Sequence, residues 1–431
     1  MTRRAILLMV LMVVGIIYLK WERTLPAKVI LSRTTLPRAT VSKVSLPDYG
    51  KDSGEWQAVG KPMELVYHAH DLQLLSSQGS LYLAFTQEIP NGLYPFDQRL
   101  TLLKWNGQTW MQIGEWNKLQ SGSAICLAPW KEKLYAVIEH SLNGISYANH
   151  ILESIQLEQW NGDKWSKIDG PFIIKKYGAF LSCFKVEHGI PYVGLLQQRT
   201  NAINVGIGDG FDGSLIKYMD HSWRYVGTPH YIKHVYSELD LAFIKGTPLL
   251  LCIKDAATEK SDILKFNGRT WKSHLIQRGY FDAFLHSQSQ LYLFLKATFQ
   301  WSNPDIYLLM KYEKGRWVHM SSVAVPDNSS TGGIFPFADS RGNIYIAFAD
   351  AQKKASVLWL NGGTWRYLGK PSFSDIVAWP FSFAEYKHQL YIAFANNLDA
   401  DVGDSDHHSG KRIEVMRYIA PADKKSPEAF H

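Results

Sequence analysis

Short runs in which large apolar residues alternate with smaller ones recur along this chain about every fifty residues. They read Leu81-Tyr82-Leu83-Ala84-Phe85 at their clearest and begin near Leu81, Leu134, Pro191, Pro248, Leu291, Ile344 and Leu390. A period of two places successive side chains on opposite faces of a strand, so each run reads as a β-strand packed on both sides. A second strand, a tight turn and a tryptophan follow. Those tryptophans are Trp56, Trp110, Trp165, Trp223, Trp271, Trp317 and Trp365. Earlier apolar segments such as Ala124–Leu127, Phe180–Phe184 and Phe381–Ala384 precede the runs, which makes four strands per unit. A repeat of this length written wholly in strands predicts an all-β fold, a seven-bladed β-propeller of four-stranded blades.

The turns support the same reading. Trp105-Asn106-Gly107-Gln108-Thr109-Trp110, Trp160-Asn161-Gly162-Asp163-Lys164-Trp165 and Leu360-Asn361-Gly362-Gly363-Thr364-Trp365 place Asn-Gly where a hairpin requires positive φ. Trp110, Trp165, Trp271 and Trp365 are expected to cover apolar area between blades. The ends are complementary. Glu55–Val59 is a fourth strand without three before it, and the segments at Leu390 and Ile413–Tyr418 lack a fourth strand after them. Pairing them closes the ring and leaves no open edge. The chain is therefore expected to divide into a targeting segment at 1–23, a linker at 24–53, the propeller at 54–420 and a polar tail at 421–431.

Arg3 and Arg4 precede an apolar run from Ala5 to Leu19, which Lys20, Glu22 and Arg23 end. No small-x-small cleavage site follows, so the segment reads as an uncleaved membrane anchor, with a cleaved signal as the alternative. Both place the propeller outside the cytoplasm. The formal charge is +7, and leaving out residues 1–23 brings it to +4. With no basic stripe or nucleic-acid motif, a nucleic-acid partner is not expected. Cys126, Cys183 and Cys252 sit in apolar strands and read as buried free thiols.

Connections between first and second strands are short, while those between second and third strands expand at 86–100, 139–151, 197–213, 296–305 and 396–413. Long connections that share one face make it the expected recognition surface. Tyr94, Phe211, Trp116, Trp301 and Trp379 lie in or beside these loops and are the candidate binding residues for a saccharide or a protein. Asp401, Asp404 and Asp406 alternate in a Gly-containing segment and form a candidate calcium site, although no EF-hand spacing is present. No other cofactor is expected. The acids Glu88, Asp97, Glu139 and Asp209 read as loop residues. No catalytic residue is assigned, and non-catalytic recognition in the cell envelope is the preferred reading. The alternative is an envelope glycan hydrolase with an axial acidic site, which needs two suitably separated carboxylates.

The Tyr-x-Ala strand followed by the Trp-Asn-Gly-x-x-Trp turn resembles the blades of bacterial seven-bladed β-propeller proteins across residues 54–420. The resemblance implies architecture and blade number, and it carries over no catalytic residue.

Overall fold

The computed structural model describes residues 54–65, 69–89, 97–113, 125–131, 133–141, 152–174, 179–198, 211–235, 239–255, 260–278, 280–287, 290–297, 304–325, 334–378, 380–396 and 411–421. Among these, the strands form seven antiparallel sheets arranged as propeller blades. From the first strand to the fourth, blade 1 is Ala69–Ser77, Ser80–Ile89, Asp97–Trp105 and Trp110–Gln112; blade 2 is Ile125–Trp130, Lys133–Ser141, Leu152–Trp160 and Trp165–Lys167. Blade 3 is Ala179–Glu187, Ile190–Gln198, Phe211–Met219 and Ser222–Tyr225; blade 4 is Leu239–Ile244, Thr247–Asp255, Lys260–Phe266 and Trp271–Arg278. Blade 5 is Tyr280–Ser287, Gln290–Lys296, Asp305–Glu313 and Arg316–Val325; blade 6 is Phe335–Ala338, Ile344–Ala349, Ala355–Asn361 and Thr364–Tyr367. Blade 7 joins Phe381–Tyr386, Gln389–Ala395 and Lys411–Ile419 to the N-terminal Glu55–Ala58, in the order expected from the complementary ends. Glu55 pairs with Ile419 and Ala58 with Met416. No helix among the described residues is long and apolar enough to cross a membrane, and the run at 5–19 lies outside them.

The second strands supply the core. Leu81, Leu83, Leu134, Val193, Leu249, Leu293, Ile346 and Ile392 are sealed from solvent because both faces of each blade meet a neighbour. The tryptophans begin the fourth strands and turn toward the seams. Six of them lie against the last aromatic of their own third strand, as in Trp105–Trp110 at 5.3 Å, Phe266–Trp271 at 5.2 Å and Trp56–Tyr418 at 5.4 Å, while Trp365 meets Phe294 of blade 5 at 6.1 Å. Trp271 packs with Val226 and Ile232 of blade 3, and Trp365 with Val323 and Leu285 of blade 5.

Several short fourth strands end in a corner that the tryptophan spacing does not encode. It is written Val59-Gly60-Lys61-Pro62, Val226-Gly227-Thr228-Pro229 and Leu368-Gly369-Lys370-Pro371. The apolar residue donates one more N–H to the third strand, Val59 to Val415 O at 2.8 Å, Val226 to Leu215 O at 2.8 Å and Leu368 to Val357 O at 2.8 Å. Its own carbonyl then accepts the indole N–H of the next blade: Trp110 to Val59 O at 2.9 Å, Trp271 to Val226 O at 2.8 Å, and Trp56 to Leu368 O at 2.8 Å. The glycine turns the chain at positive φ while its bare α-carbon rests against that tryptophan. In blades 4 and 5 the fourth strand bulges and runs on along the third, so this corner is missing. The next tryptophans, Trp317 and Trp365, have buried indole N–H groups with no partner among the described residues, as does Trp223 after blade 2.

Gly227 has φ +82, and a Cβ there would lie 3.1 Å from Phe266 and 3.2 Å from Trp271. Gly227→Ala is expected to cost about 2 kcal/mol, from the left-handed backbone and the crowding together. Gly268→Ala, at φ +94 with nothing within 4 Å, should cost only about 1 kcal/mol. Urea midpoints of the two variants check the difference.

Two expectations change in detail, and one blade linker gains a strand. In the first three Asn-Gly turns the asparagine takes no left-handed backbone. Its side chain caps the turn, Asn106 Oδ1 accepting from Gln108 N and Thr109 N, both at 2.8 Å. The linker at 228–237 is partly a strand, Ile232–Val235, which covers the end of the third strand of blade 3 that its short fourth strand leaves bare. The long connections at 86–100 and 197–213 are also shorter, because the flanking strands continue to Ile89 and Gln198 and resume at Asp97 and Phe211.

Candidate functional site

First strands line the axis of the ring. Neighbouring first strands belong to different sheets, so an N–H aimed across a seam has no ladder partner. Side chains supply one. Leu74 N donates to Ser382 Oγ at 2.8 Å, Leu127 N to Gln73 Oε1 at 3.0 Å, and Leu181 N to Glu139 Oε1. Leu239 N donates to Ser182 Oγ at 2.6 Å and Phe284 N to Asp240 Oδ2 at 2.7 Å. In each case the acceptor belongs to the preceding blade and the N–H to the following one. The two remaining seams are tied at the short turns, by Ser287 Oγ donating to Asp339 O and by Ser340 N donating to Glu385 at 2.6 Å. Bulges at His70/Gln73, Leu181/Cys183 and Phe281/Ala283 accompany the ring, since an extra residue re-aims an N–H out of its own ladder.

This ring places acids at the axis. Asp240 also meets Lys185 Nζ at 3.2 Å, and Asp71 accepts from Thr86 Oγ1 at 2.9 Å. Glu139, expected in a loop, lies buried in the second strand of blade 2, because its carboxylate is needed at the seam with blade 3. Burial, with Asp71 and Glu139 close by, pushes the Cys126 thiol well up. Burial and the charge of Asp240 push Cys183 up to about 12. A maleimide at pH 8 should therefore modify Cys183 only after unfolding, as peptide mass spectrometry of native and denatured protein will show.

Alternating strand directions divide the disc into two unlike faces. First-to-second and third-to-fourth turns emerge on one, the short-turn face; second-to-third loops and blade linkers emerge on the other, the long-loop face. At the short-turn end, Lys104, Lys217, Lys265, Lys311 and Arg417 stand opposite the second-strand positions Tyr82, Tyr192, Leu249, Tyr292 and Tyr391. At the long-loop end, mostly buried acids meet cations: Asp212 with Lys233 at 2.6 Å, Asp305 with Lys296 at 2.7 Å, and Glu414 with Arg412 at 2.6 Å. Asp350 there accepts from Ser356 Oγ at 2.7 Å and Ser372 Oγ at 2.6 Å, joining a second-to-third loop to the linker after blade 6. The long loops thus spring from strand ends that charge and hydrogen bonding hold in place.

Of the candidate binding residues, Phe211 is the first residue of the third strand of blade 3, pairs with Val235, and packs partly buried against the core between blades 3 and 4. Tyr94, Trp116, Trp301 and Trp379 lie outside the described residues, as do Asp401, Asp404 and Asp406. Among the described residues no group of three or more His, Cys, Asp or Glu is placed to hold a metal ion. The axial acceptors escape sequence reasoning because Ser, Gln, Glu and Asp serve in turn; Gln73, Asp240 and Ser382 share one register position, opposite Ala84, Leu251 and Ala393, which residue type alone does not mark. The Gly-x-Pro corner, by contrast, is a readable signal.

No family model and no curated protein matches the chain. Among solved structures it is similar to a protein of unknown function from Dyadobacter fermentans DSM 18053, with 11% identity over 85% of this chain and 98% of that one and a TM-score of 0.49. A sialidase of Trypanosoma rangeli aligns at 12% identity over 84% of this chain and 56% of that one, with a TM-score of 0.45. A mutant Aleuria aurantia lectin in complex with Fucα1-6GlcNAc aligns at 13% identity over 72% and 99%, with a TM-score of 0.41. No activity or ligand is transferred from them.

Proposed function

We propose that this protein is a non-catalytic recognition or assembly module of the cell envelope that binds a saccharide or a protein on its long-loop face. The observation that carries this reading is the asymmetry of the disc. Long connections gather on one face and spring from strand ends tied by the Asp212–Lys233, Asp305–Lys296 and Arg412–Glu414 pairs, a rigid base under variable loops. The axial carboxylates of Glu139 and Asp240 accept backbone N–H groups between blades, and protonating either would weaken that tie by removing its charge. In this reading the apolar run at 5–19 anchors the chain and the propeller lies outside the cytoplasm.

The test replaces Trp116, Trp301 and Trp379 together by Ala in the full chain. Co-sedimentation with purified envelope saccharide, and cross-linking to envelope protein, should both be scored. Binding is expected to fall at least tenfold, as loss of central aromatic anchors does, with the thermal midpoint unchanged. Undiminished binding would overturn the reading. A second reading rests on the acids Asp71, Glu139 and Asp240 at the axis: sugar release from the same saccharide, abolished by Glu139→Gln, would favour the hydrolase.

A further inference from the structure

The short-turn face carries a ring of outward lysine, arginine and histidine side chains around the mouth of the axis. Lys131, His188, Lys245, Arg341, Lys387 and His388 come from the first-to-second turns of blades 2, 3, 4, 6 and 7 and are exposed. The acids of the same turns point inward. The side chain of Asp339 is 1% exposed against 58% for its partner Arg341, and Glu385 is 14% exposed against 85% for His388. Glu187 is 27% exposed against 71% for His188. Lys131 and Lys387 lie over the rings of Trp130 and Tyr386 at 5.7 and 5.1 Å, which leaves two aromatic bodies beside the charge.

The backbone adds an independent sign. Lys131, His188, Lys245 and Lys387 have φ of 49, 50, 49 and 50 degrees. Asn, Asp or Gly fits such positions with less strain. Three lysines, Lys131, Lys245 and Lys387, where the turn itself favours Asn, Asp, His or Gly, indicate that the charge is wanted there.

The chain ends say what meets this face. Glu55–Ala58 runs antiparallel to Lys411–Ile419, with Glu55 opposite Ile419. The third strand finishes at the short-turn end, so the chain enters the propeller on that side, downstream of the apolar run at 5–19, and leaves it there as well. We infer that the short-turn face docks on an anionic lipid bilayer through this cationic ring, with the long-loop face directed away from the membrane. Lysines near an anionic surface contribute about 1 kcal/mol each, and a planar ring around the axis can engage several headgroups at once. The inference stands apart from the long-loop reading, since either face can fail alone.

The full chain is mixed with vesicles of phosphatidylcholine alone or with about one third phosphatidylglycerol, then treated with a membrane-impermeant acetylating reagent. Peptide mass spectrometry reads the modification of each lysine. Lys131, Lys245 and Lys387 should be modified several-fold more slowly on anionic vesicles, with the protection lost at ~1 M salt, where screening reaches about 3 Å. Lys61, Lys353 and Lys370, on the opposite face, should not change. Lys131→Asn, Lys245→Asn and Lys387→Asn together keep a turn-compatible residue and should weaken anionic-vesicle binding at low salt on the order of 100-fold relative to neutral vesicles. Equal modification on both vesicle types, or protection of Lys61, Lys353 and Lys370 instead, would overturn the inference. Protection by soluble inorganic polyphosphate but not by vesicles would overturn it too, by assigning the ring to a soluble polyanion.

Discussion

Trp56→Ala is expected to destabilise the propeller by about 4 kcal/mol, the range for losing a buried large aromatic. Trp56 is only 8% exposed. It stacks on Phe373 at 5.0 Å, lies 5.4 Å from Tyr418, and donates its indole N–H to Leu368 O at 2.8 Å. Those contacts hold the N-terminal strand to blade 7 and blade 7 to blade 6. A cavity there therefore loosens two interfaces and bares the edge of Lys411–Ile419. Trp56→Phe retains much of the stacking and loses the N–H bond, so it should cost less, about 2 kcal/mol. Urea unfolding of both variants, with light scattering to follow association of the exposed edge, is the measurement. A Trp56→Ala midpoint equal to wild type would remove this strand from the closure.

The second large effect is expected at the axis. Asp240→Ala should cost about 3 kcal/mol, because it orphans Phe284 N across the seam with blade 5 and leaves Lys185 without its 3.2 Å partner. Asp240→Asn keeps an acceptor and should cost about 1 kcal/mol. Ser182→Ala, which removes the tie to Leu239 N at 2.6 Å, falls between them. An Asp240→Ala variant with full stability and lost ligand binding would instead place this carboxylate in a recognition site.

The architecture was legible because a propeller writes its period into the chain. Trp56, Trp110, Trp165, Trp223, Trp271, Trp317 and Trp365 each fall in the first two residues of a fourth strand. The closure was legible for the same reason, since Glu55–Val59 and Ile413–Tyr418 each lack what the other has. The axial ring was not. A first-strand N–H aimed across a seam donates to any acceptor within reach, so Ser, Gln, Glu and Asp serve in turn and no single residue type marks the ring. The second-strand tyrosines Tyr82, Tyr192, Tyr292 and Tyr391 face a lysine and arginine column from the third strands, visible only once the register is known. The extent of the long loops was overread because strands extend past their apolar cores. Glu88 pairs with Gln98 and Ile89 with Asp97, where polarity alone reads as loop.

The proposed function rests on this division of labour between the faces. Short turns and cations gather where the chain enters and leaves, and long loops gather opposite. Both assignments depend on the direction in which Glu55–Ala58 joins blade 7.

The most direct test of that closure is a disulfide between Gln57→Cys and Arg417→Cys, which are register partners across the joined strands. Antiparallel partners lie within the Cα separation that a disulfide spans. On oxidation the monomer should form one intrachain link, detected as the 57–417 peptide pair, and its denaturation midpoint should rise by the equivalent of about 2–4 kcal/mol. A variant that stays reduced, or that links only between molecules, would contradict the closed seven-bladed ring.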